Sequence, residues 1–431
     1  MQPTVTTIES RCKRCYSCIR RCPAKAIRVE SGQAKVIAER CVACGNCVRV
    51  CTQKAKKIRD GLSGCRELLA GTEPVLAVLA PSFPAAFAQL RPLQVVSALR
   101  RSGFAQVWEV GLGADGVARA YTRLVEQDVM PTVISSSCPA VVNYIEKFYP
   151  ELLLVLAPIV SPMVAVARLL RHTVADDARV VFIGPCIAKK KEMFDPKVAG
   201  VIDEVLTYNE VLTLWDEQGI DAGQCEETPF DGPPAELGRA FPLSGGLLEA
   251  AAMQYGVLRQ EVTVTEGQDR VVEAIQKTAE GKMEARFLDL LFCEGCINGP
   301  QMANALSVFI RRDRIIHFVQ ERTGREQSTE EIFRNVDLSR EFTFESMPLL
   351  TADEQEIRRV LAITGKRTEE DELNCGACGY PSCRDKAVAV IQGFAEAEMC
   401  LPYMVEKLEQ IQQELLDRKS TRLNSSHRIR S

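Results

Sequence analysis

Four cysteines in three short stretches have the types and spacing to do chemistry. Leu290-Leu291-Phe292-Cys293-Glu294-Gly295-Cys296-Ile297-Asn298-Gly299-Pro300 sets two thiols three positions apart after an apolar run. Cys138 closes Ser135-Ser136-Ser137-Cys138-Pro139, and Cys186 lies in Gly184-Pro185-Cys186-Ile187-Ala188-Lys189. Each also ends an apolar run. Thiolates are soft ligands that suit iron–sulfur clusters, and four brought together at strand ends would hold one such cluster. Taken alone, Cys138 or Cys186 would read as a core thiol.

A second set lies upstream. Cys12, Cys15, Cys18 and Cys22-Pro23 follow C-x-x-C-x-x-C-x-x-x-C-P, and Cys41, Cys44, Cys47 and Cys51 repeat it with Thr52 in place of the proline. This is the bacterial two-cluster ferredoxin run, in which the fourth cysteine of each copy serves the other cluster. One 4Fe–4S cluster is therefore assigned to Cys12, Cys15, Cys18 and Cys51, and a second to Cys41, Cys44, Cys47 and Cys22. Zinc is the alternative; eight cysteines in duplicate register, with Pro23, argue against it. Arg14, Arg20, Arg21 and Lys25 crowd the first copy. They either offset cluster charge and raise its potential or form a solvated basic face.

The elements that must position these groups read as α/β. Val75–Ala80 is a buried strand ending at Pro81-Ser82. Val107–Val110 leads into a glycine-rich segment and a helix to about Glu126. Met130–Ile134 runs into Ser135–Cys138, Val180–Ile183 into Pro185-Cys186, and Arg286–Phe292 into Cys293. Ligands collect at the carboxyl ends of parallel strands, which is where Cys138 and Cys186 fall. Residues 53–73 read as a linker helix in which Cys65 is a packed or surface thiol. Residues 219–238 read as a loop carrying Cys225, with no role assigned. His172, His317 and His427 are scattered and assigned to no metal.

The bulk numbers fit this reading. At 431 residues there is room for two to four domains, with 46% hydrophobic and 26% charged residues. A net charge of −4 suggests neither a nucleic-acid nor a membrane partner. No apolar run reaches membrane-spanning length and no signal peptide opens the chain. The 18 cysteines fit metal ligation in a reducing compartment better than a disulfide framework, so the expected location is cytoplasmic.

Residues 310–372 read as charged and helical. Cys375, Cys378, Cys383 and Cys400 then form a further group with glycine and proline between them, again suggesting a cluster. Leu401, Met404, Leu408, Ile411 and Leu415 follow at coiled-coil spacing, too short a seam to stand alone and so expected to lead to a further domain. Residues 417–431 resemble the conceptual translation of a sequencing adapter and are set aside from function. The expected division is 1–70 two-cluster ferredoxin domain, 71–365 central domain, 366–402 4Fe–4S module and 403–416 start of a coil.

Taken together, residues 8–400 resemble the FeFe-hydrogenase large-subunit family. The resemblance implies an α/β core of two lobes, with parallel sheets and helices, after an α+β ferredoxin domain and before a small helical module. It implies a 4Fe–4S cube on Cys138, Cys186, Cys293 and Cys296. Cys296 would bridge to a diiron unit carrying CO, cyanide and a dithiolate. Lys189 matches the lysine that contacts a cyanide, and Pro81 and Ser82 match a segment lining the diiron pocket. Lys190 and Lys191 fit a solvated lysine run. The C-terminal cysteines resemble the extra module of sensory members, whose coil leads to a signalling domain. The departures point to a subtype. Ser137 stands where efficient members place the proton-shuttle cysteine, and a hydroxyl is several units more basic than a thiol. The two relay glutamates fall on Tyr121 and Leu124. Two methionines become Gly184 and Leu291, and the last motif is one residue shorter. The expectation is a protein that binds hydrogen but turns it over slowly and relays electrons or a redox signal. Its expected partners are hydrogen, a redox or signalling protein, maturation proteins, and a second copy through the coil. The other reading is a hydrogenase-like iron–sulfur protein without the diiron unit, acting in electron transfer or cluster assembly.

Overall fold

The computed structural model describes residues 3–30, 32–174, 177–253, 261–321, 324–347 and 352–428. The end of the 417–431 segment, residues 429–431, lies outside them. The chain forms two compact units that do not follow chain order. The larger comprises residues 1–6, 40–45 and 58–347. The smaller comprises 7–39, 46–57 and 348–431, so most of the N-terminal cysteine repeat and the C-terminal cysteine group share one unit.

The larger unit is α/β with two parallel sheets. One has four strands in the order Gln106–Glu109, Val75–Leu79, Arg179–Ile183, Glu204–Leu206. The other has three, in the order Val262–Glu266, Phe287–Leu291, Val133–Ile134. Strand Val75–Leu79 is buried along its whole length, with Leu76 and Val78 in one apolar cluster and Val75, Ala77 and Leu79 in another. A strand covered on both faces has this unbroken apolar sequence, and alternate residues serve opposite sides.

Several elements differ from expectation. The linker helix expected over residues 53–73 is a strand, Lys56–Ile58, followed by a helix of only Leu62–Leu69, and within the stretch expected to be helical over 310–372, residues 336–347 form no helix. The strand expected over Met130–Ile134 is only Val133–Ile134, because Pro131 has no N–H to give to a ladder. The glycine-rich segment after the second strand is helical from its start, within Val110–Glu126. A Cβ on Gly113 would stand 2.4 Å from the Pro162 carbonyl oxygen, so glycine there lets this helix cross Pro162–Thr173 closely.

In the smaller unit, strands Ile27–Glu30 and Gln33–Val36 form an antiparallel hairpin. The duplicated cysteine pattern has a duplicated structure: Ala26 N–H donates to Cys22 Sγ at 3.3 Å, and Ala55 N–H to Cys51 Sγ at 3.2 Å. Cys18, Ile19, Ile27 and Val29 share an apolar cluster with Tyr380, Ala389 and Met399 of the C-terminal module. Arg20 donates to the Ala377 carbonyl at 3.2 Å and Lys25 to the Gly379 carbonyl at 2.9 Å. Two of the four cations of the first repeat thus hold the C-terminal module in place. Helix Leu401–Arg428 follows, with Leu408, Ile411 and Leu415 exposed along it. Among the described residues no helix is long and apolar enough to cross a membrane.

Candidate metal centre at the strand ends

Each candidate ligand in the larger unit follows a parallel strand. Cys138 caps helix Pro139–Phe148 just after Val133–Ile134, and Cys186 caps Ile187–Glu192 just after Arg179–Ile183. Pro81 and Ser82 follow Val75–Leu79, and Cys293 and Cys296 follow Phe287–Leu291. Proline at the first helical position fits Cys138-Pro139, since its missing N–H would be unpaired there anyway. A helix start also presents unpaired amides to an anion.

These loops enclose a cavity of about 100 Å³ with a largely apolar wall. Pro81, Ser82, Ser137, Cys138, Cys186, Lys189 and Cys296 all line it. Cys293 is close enough to feel the charges of Cys138, Cys186 and Cys296. Burial, then mutual repulsion among these thiols, pushes Cys186 up to about 11 and Cys293 and Cys296 well above the usual thiol range. Four half-buried thiols that would repel as thiolates are stabilised by a cationic core between them. Among the described residues no three donors converge as they would on a single ion. Four thiols around one cavity are a donor set of the type that suits an iron–sulfur cluster. Cys44 adds to the field at Cys293, and Gly45 packs on Ile187 and Pro300. Cys44 and Gly45, which belong to the larger unit, thus border this centre.

Lys189 faces the cavity and is tightly held. Its ammonium donates to Glu192 at 2.7 Å; Arg340 donates to the other Glu192 oxygen at 3.0 Å, and Ser161 donates at 3.1 Å. Burial pushes the Glu192 carboxyl up, but Lys189 and Arg340 outweigh this and hold it below the usual range. The neighbouring lysines are not a solvated run. Lys190 is fully buried, paired with Glu210 at 2.9 Å and donating to the Val205 carbonyl; Lys191 donates to Asn143. A buried lysine needs such partners, and here they come from a strand and helix beyond residue 200.

The hydroxyl groups divide in two. Ser82 is hydrogen-bonded to Tyr208 at 2.7 Å. The Tyr121 hydroxyl accepts the Ser136 N–H at 2.7 Å and lies 2.9 Å from Ser136 Oγ, so it braces the turn before Cys138. Ser137 Oγ is buried beside the Tyr121 hydroxyl, close enough to act on it, though no well-formed hydrogen bond joins them. A side chain on Gly184 would strike the Phe182 ring at 2.7 Å and Ala80 at 2.9 Å. Phe182 lines the cavity and fills the space a methionine would need. Cys65 and Cys225 are buried packing thiols, and burial pushes Cys65 up to about 12.

Sequence reasoning missed Asp289. It is buried in the cavity wall on the strand leading to Cys293, and accepts from Ser135 at 3.2 Å. Burial raises its carboxyl to about 6, with the Ser135 bond acting against this. An aspartate inside an otherwise apolar strand was the available signal.

A family model described as the iron only hydrogenase large subunit, C-terminal domain, matches residues 73–300. A 4Fe-4S dicluster domain matches 4–52, and a small FeS family matches 371–402. The chain is 30% identical over 369 residues to the periplasmic [Fe] hydrogenase large subunit of Nitratidesulfovibrio vulgaris, covering 70% of this chain and 88% of that protein. It is 27% identical over 218 residues to cytosolic iron-sulfur assembly component 3 of Mus musculus, covering 39% and 46%. In fold it is similar to a variant of [FeFe]-hydrogenase HydA1 from Chlamydomonas reinhardtii, with a TM-score of 0.53, 17% identity, and coverage of 66% of this chain and 99% of that one.

Proposed function

The chain belongs to the iron-only hydrogenase large-subunit family, and from that premise we propose that it is a slow, hydrogen-sensing member. The supporting observation is Ser137: a hydroxyl, not a thiol, stands at the cavity wall, and beside it the Tyr121 hydroxyl is hydrogen-bonded to Ser136. Neither group passes a proton readily near neutral pH, because alkyl hydroxyls and phenols are too basic.

Cys138, Cys186, Cys293 and Cys296 would hold a 4Fe–4S cube, and Cys296 would bridge to the diiron unit. When bound, that unit supplies an open Lewis-acidic iron for hydrogen. Lys189 would point its ammonium at an anionic ligand, with Glu192 and Arg340 fixing its direction. The apolar wall keeps bulk water from the pocket. The N-terminal cysteines would hold two 4Fe–4S clusters and the C-terminal four a third. Redox changes would then pass to helix Leu401–Arg428 and whatever partner it engages. Its exposed Leu408, Ile411 and Leu415 suit pairing with a second copy. The division at residues 70, 365 and 402, the dependence on maturation proteins and a cytoplasmic location belong to the same proposal.

A second reading, an iron–sulfur protein without a diiron unit acting in electron transfer or cluster assembly, draws on the likeness to the assembly component. Hydrogen uptake with a viologen acceptor, on anaerobically matured protein, tests the proposal. Slow, measurable uptake is expected. Fast turnover would make the protein an ordinary hydrogenase, and none with the diiron unit loaded would remove the activity.

A further inference from the structure

Two lysines are buried against the C-terminal cysteines. Cys375, Cys378, Cys383 and Cys400 line one cavity together with Lys366 and Lys386. Lys366 lies beyond helix Glu354–Ile363; its ammonium is 3.4 Å from Cys400 Sγ and donates to the Thr364 carbonyl at 3.0 Å. Lys386 lies one turn after Cys383 on helix Cys383–Ile391 and donates to the Ala397 carbonyl at 3.0 Å. The two residues are 8% and 4% exposed.

Lysine is almost never so buried without an opposite charge. Among the described residues, neither ammonium has a carboxylate in salt-bridge contact. The nearest anions are the cysteines: Cys400, Cys378 and Cys383 all act on Lys386, while Asp371 acts on Lys366 from beyond salt-bridge distance. The N-terminal cysteines of the same unit are placed differently. Cys18 feels one buried ammonium, Lys56, and Cys15 feels the exposed Arg20.

We propose that Lys366 and Lys386 make the C-terminal cluster site the electron-accepting end of the smaller unit, with a potential above that of the site on Cys12, Cys15, Cys18 and Cys51. The reason is charge. A cube on four thiolates becomes more negative by one on reduction, and buried cations beside it favour that state. Burial also protects the effect from salt. The step is a one-electron exchange: a reduced ferredoxin-type cluster, or dithionite in the test, loses one electron and this site gains it. No bond changes and no proton moves. The inference does not require a diiron unit.

The test is a redox-poised electron paramagnetic resonance titration of the full chain with its clusters reconstituted. Cys383→Ser, which removes a C-terminal ligand, identifies the C-terminal signal. In the unsubstituted protein that signal reduces before the one from Cys12, Cys15, Cys18 and Cys51. Lys366→Met and Lys386→Met should each shift its oxidised-to-reduced ratio at least ~tenfold toward oxidised at fixed poise, about 59 mV for one electron. The N-terminal signals should stay in place, and lysine-to-arginine variants should keep most of the unsubstituted value. Reduction of the C-terminal site last, or methionine variants with unchanged midpoints, overturns the proposal. Where a methionine variant fails to keep its iron, the order in the unsubstituted protein decides alone. These signals are read whether or not hydrogen is turned over, so failure of the hydrogenase reading and failure of this one are separate results.

Discussion

At the strand-end centre and in the C-terminal module, buried lysines stand beside cysteines with opposite pairing. Lys189 is bound by Glu192, which Arg340 and Ser161 hold in turn. Lys366 and Lys386 meet only carbonyls and thiols in the contacts described. With Asp195, which Arg340 also pairs with at 2.6 Å, the first arrangement is neutral overall and fixes where an ammonium points. The second leaves net positive charge against the cysteines. One kind of residue, set in two frames, gives aim in one place and potential in the other.

The comparison can be broken most severely at the ligands. Cys296→Ser should abolish hydrogen uptake and lower bound iron, measured by metal analysis, while leaving the C-terminal signal intact. Loss of every cluster together would mean the two regions are not separate in the way described.

Next in size is the clamp. Glu192→Gln leaves Lys189 buried without its anion, while Arg340 keeps Asp195, and breaking a buried pair from one side costs about 3–5 kcal/mol. Denaturant unfolding should show a loss of that order. Lys189→Met keeps the Glu192–Arg340 pair, so it should cost less stability while lowering hydrogen uptake. Equal losses from the two variants would contradict the account of Lys189 as an aimed group.

Ser137→Cys sharpens the comparison on the catalytic side. A thiol there should raise uptake by about tenfold, below the ~10²–10⁴ that a complete acid–base relay supplies, because Tyr121 and Leu124 remain. An unchanged rate would move the limit to those positions.

The smallest effect is on pH. Burial raises Asp289 from 3.8 to about 6. The folded protein therefore keeps a proton that the unfolded chain releases near the lower value. Stability contributed by this group is present below pH 3.8 and is lost as pH rises to about 6. Asp289→Asn should flatten that part of the profile in thermal melts across this range. A slope unchanged by the substitution would show that Asp289 does not set it.

Much of the centre was legible because local spacing and strand ends sufficed. The cysteine repeats are short-range patterns, and apolar runs ending at Pro81, Cys138, Cys186 and Cys293 carried their own meaning. What escaped depends on contacts distant in sequence. Arg340 reaches Glu192 across 148 residues, and no pattern near Lys189 announces it. The burial of Lys190 depends on Val205 and Glu210. The joining of the first cysteine repeat to the C-terminal module rests on Arg20 and Lys25 meeting backbone carbonyls more than 350 positions away. Backbone carbonyls have no signature in a sequence. Lys366 and Lys386 read as ordinary members of a charged segment until folding places them inside.

The central claim is that the strand-end cavity receives a diiron unit that binds hydrogen. Infrared spectroscopy of anaerobically matured protein, in the CO and cyanide stretching region with and without hydrogen, tests it most directly. The account predicts bands in that region that shift under hydrogen. Protein with iron–sulfur absorption but no such bands, beside a control hydrogenase loaded by the same maturation, would contradict it.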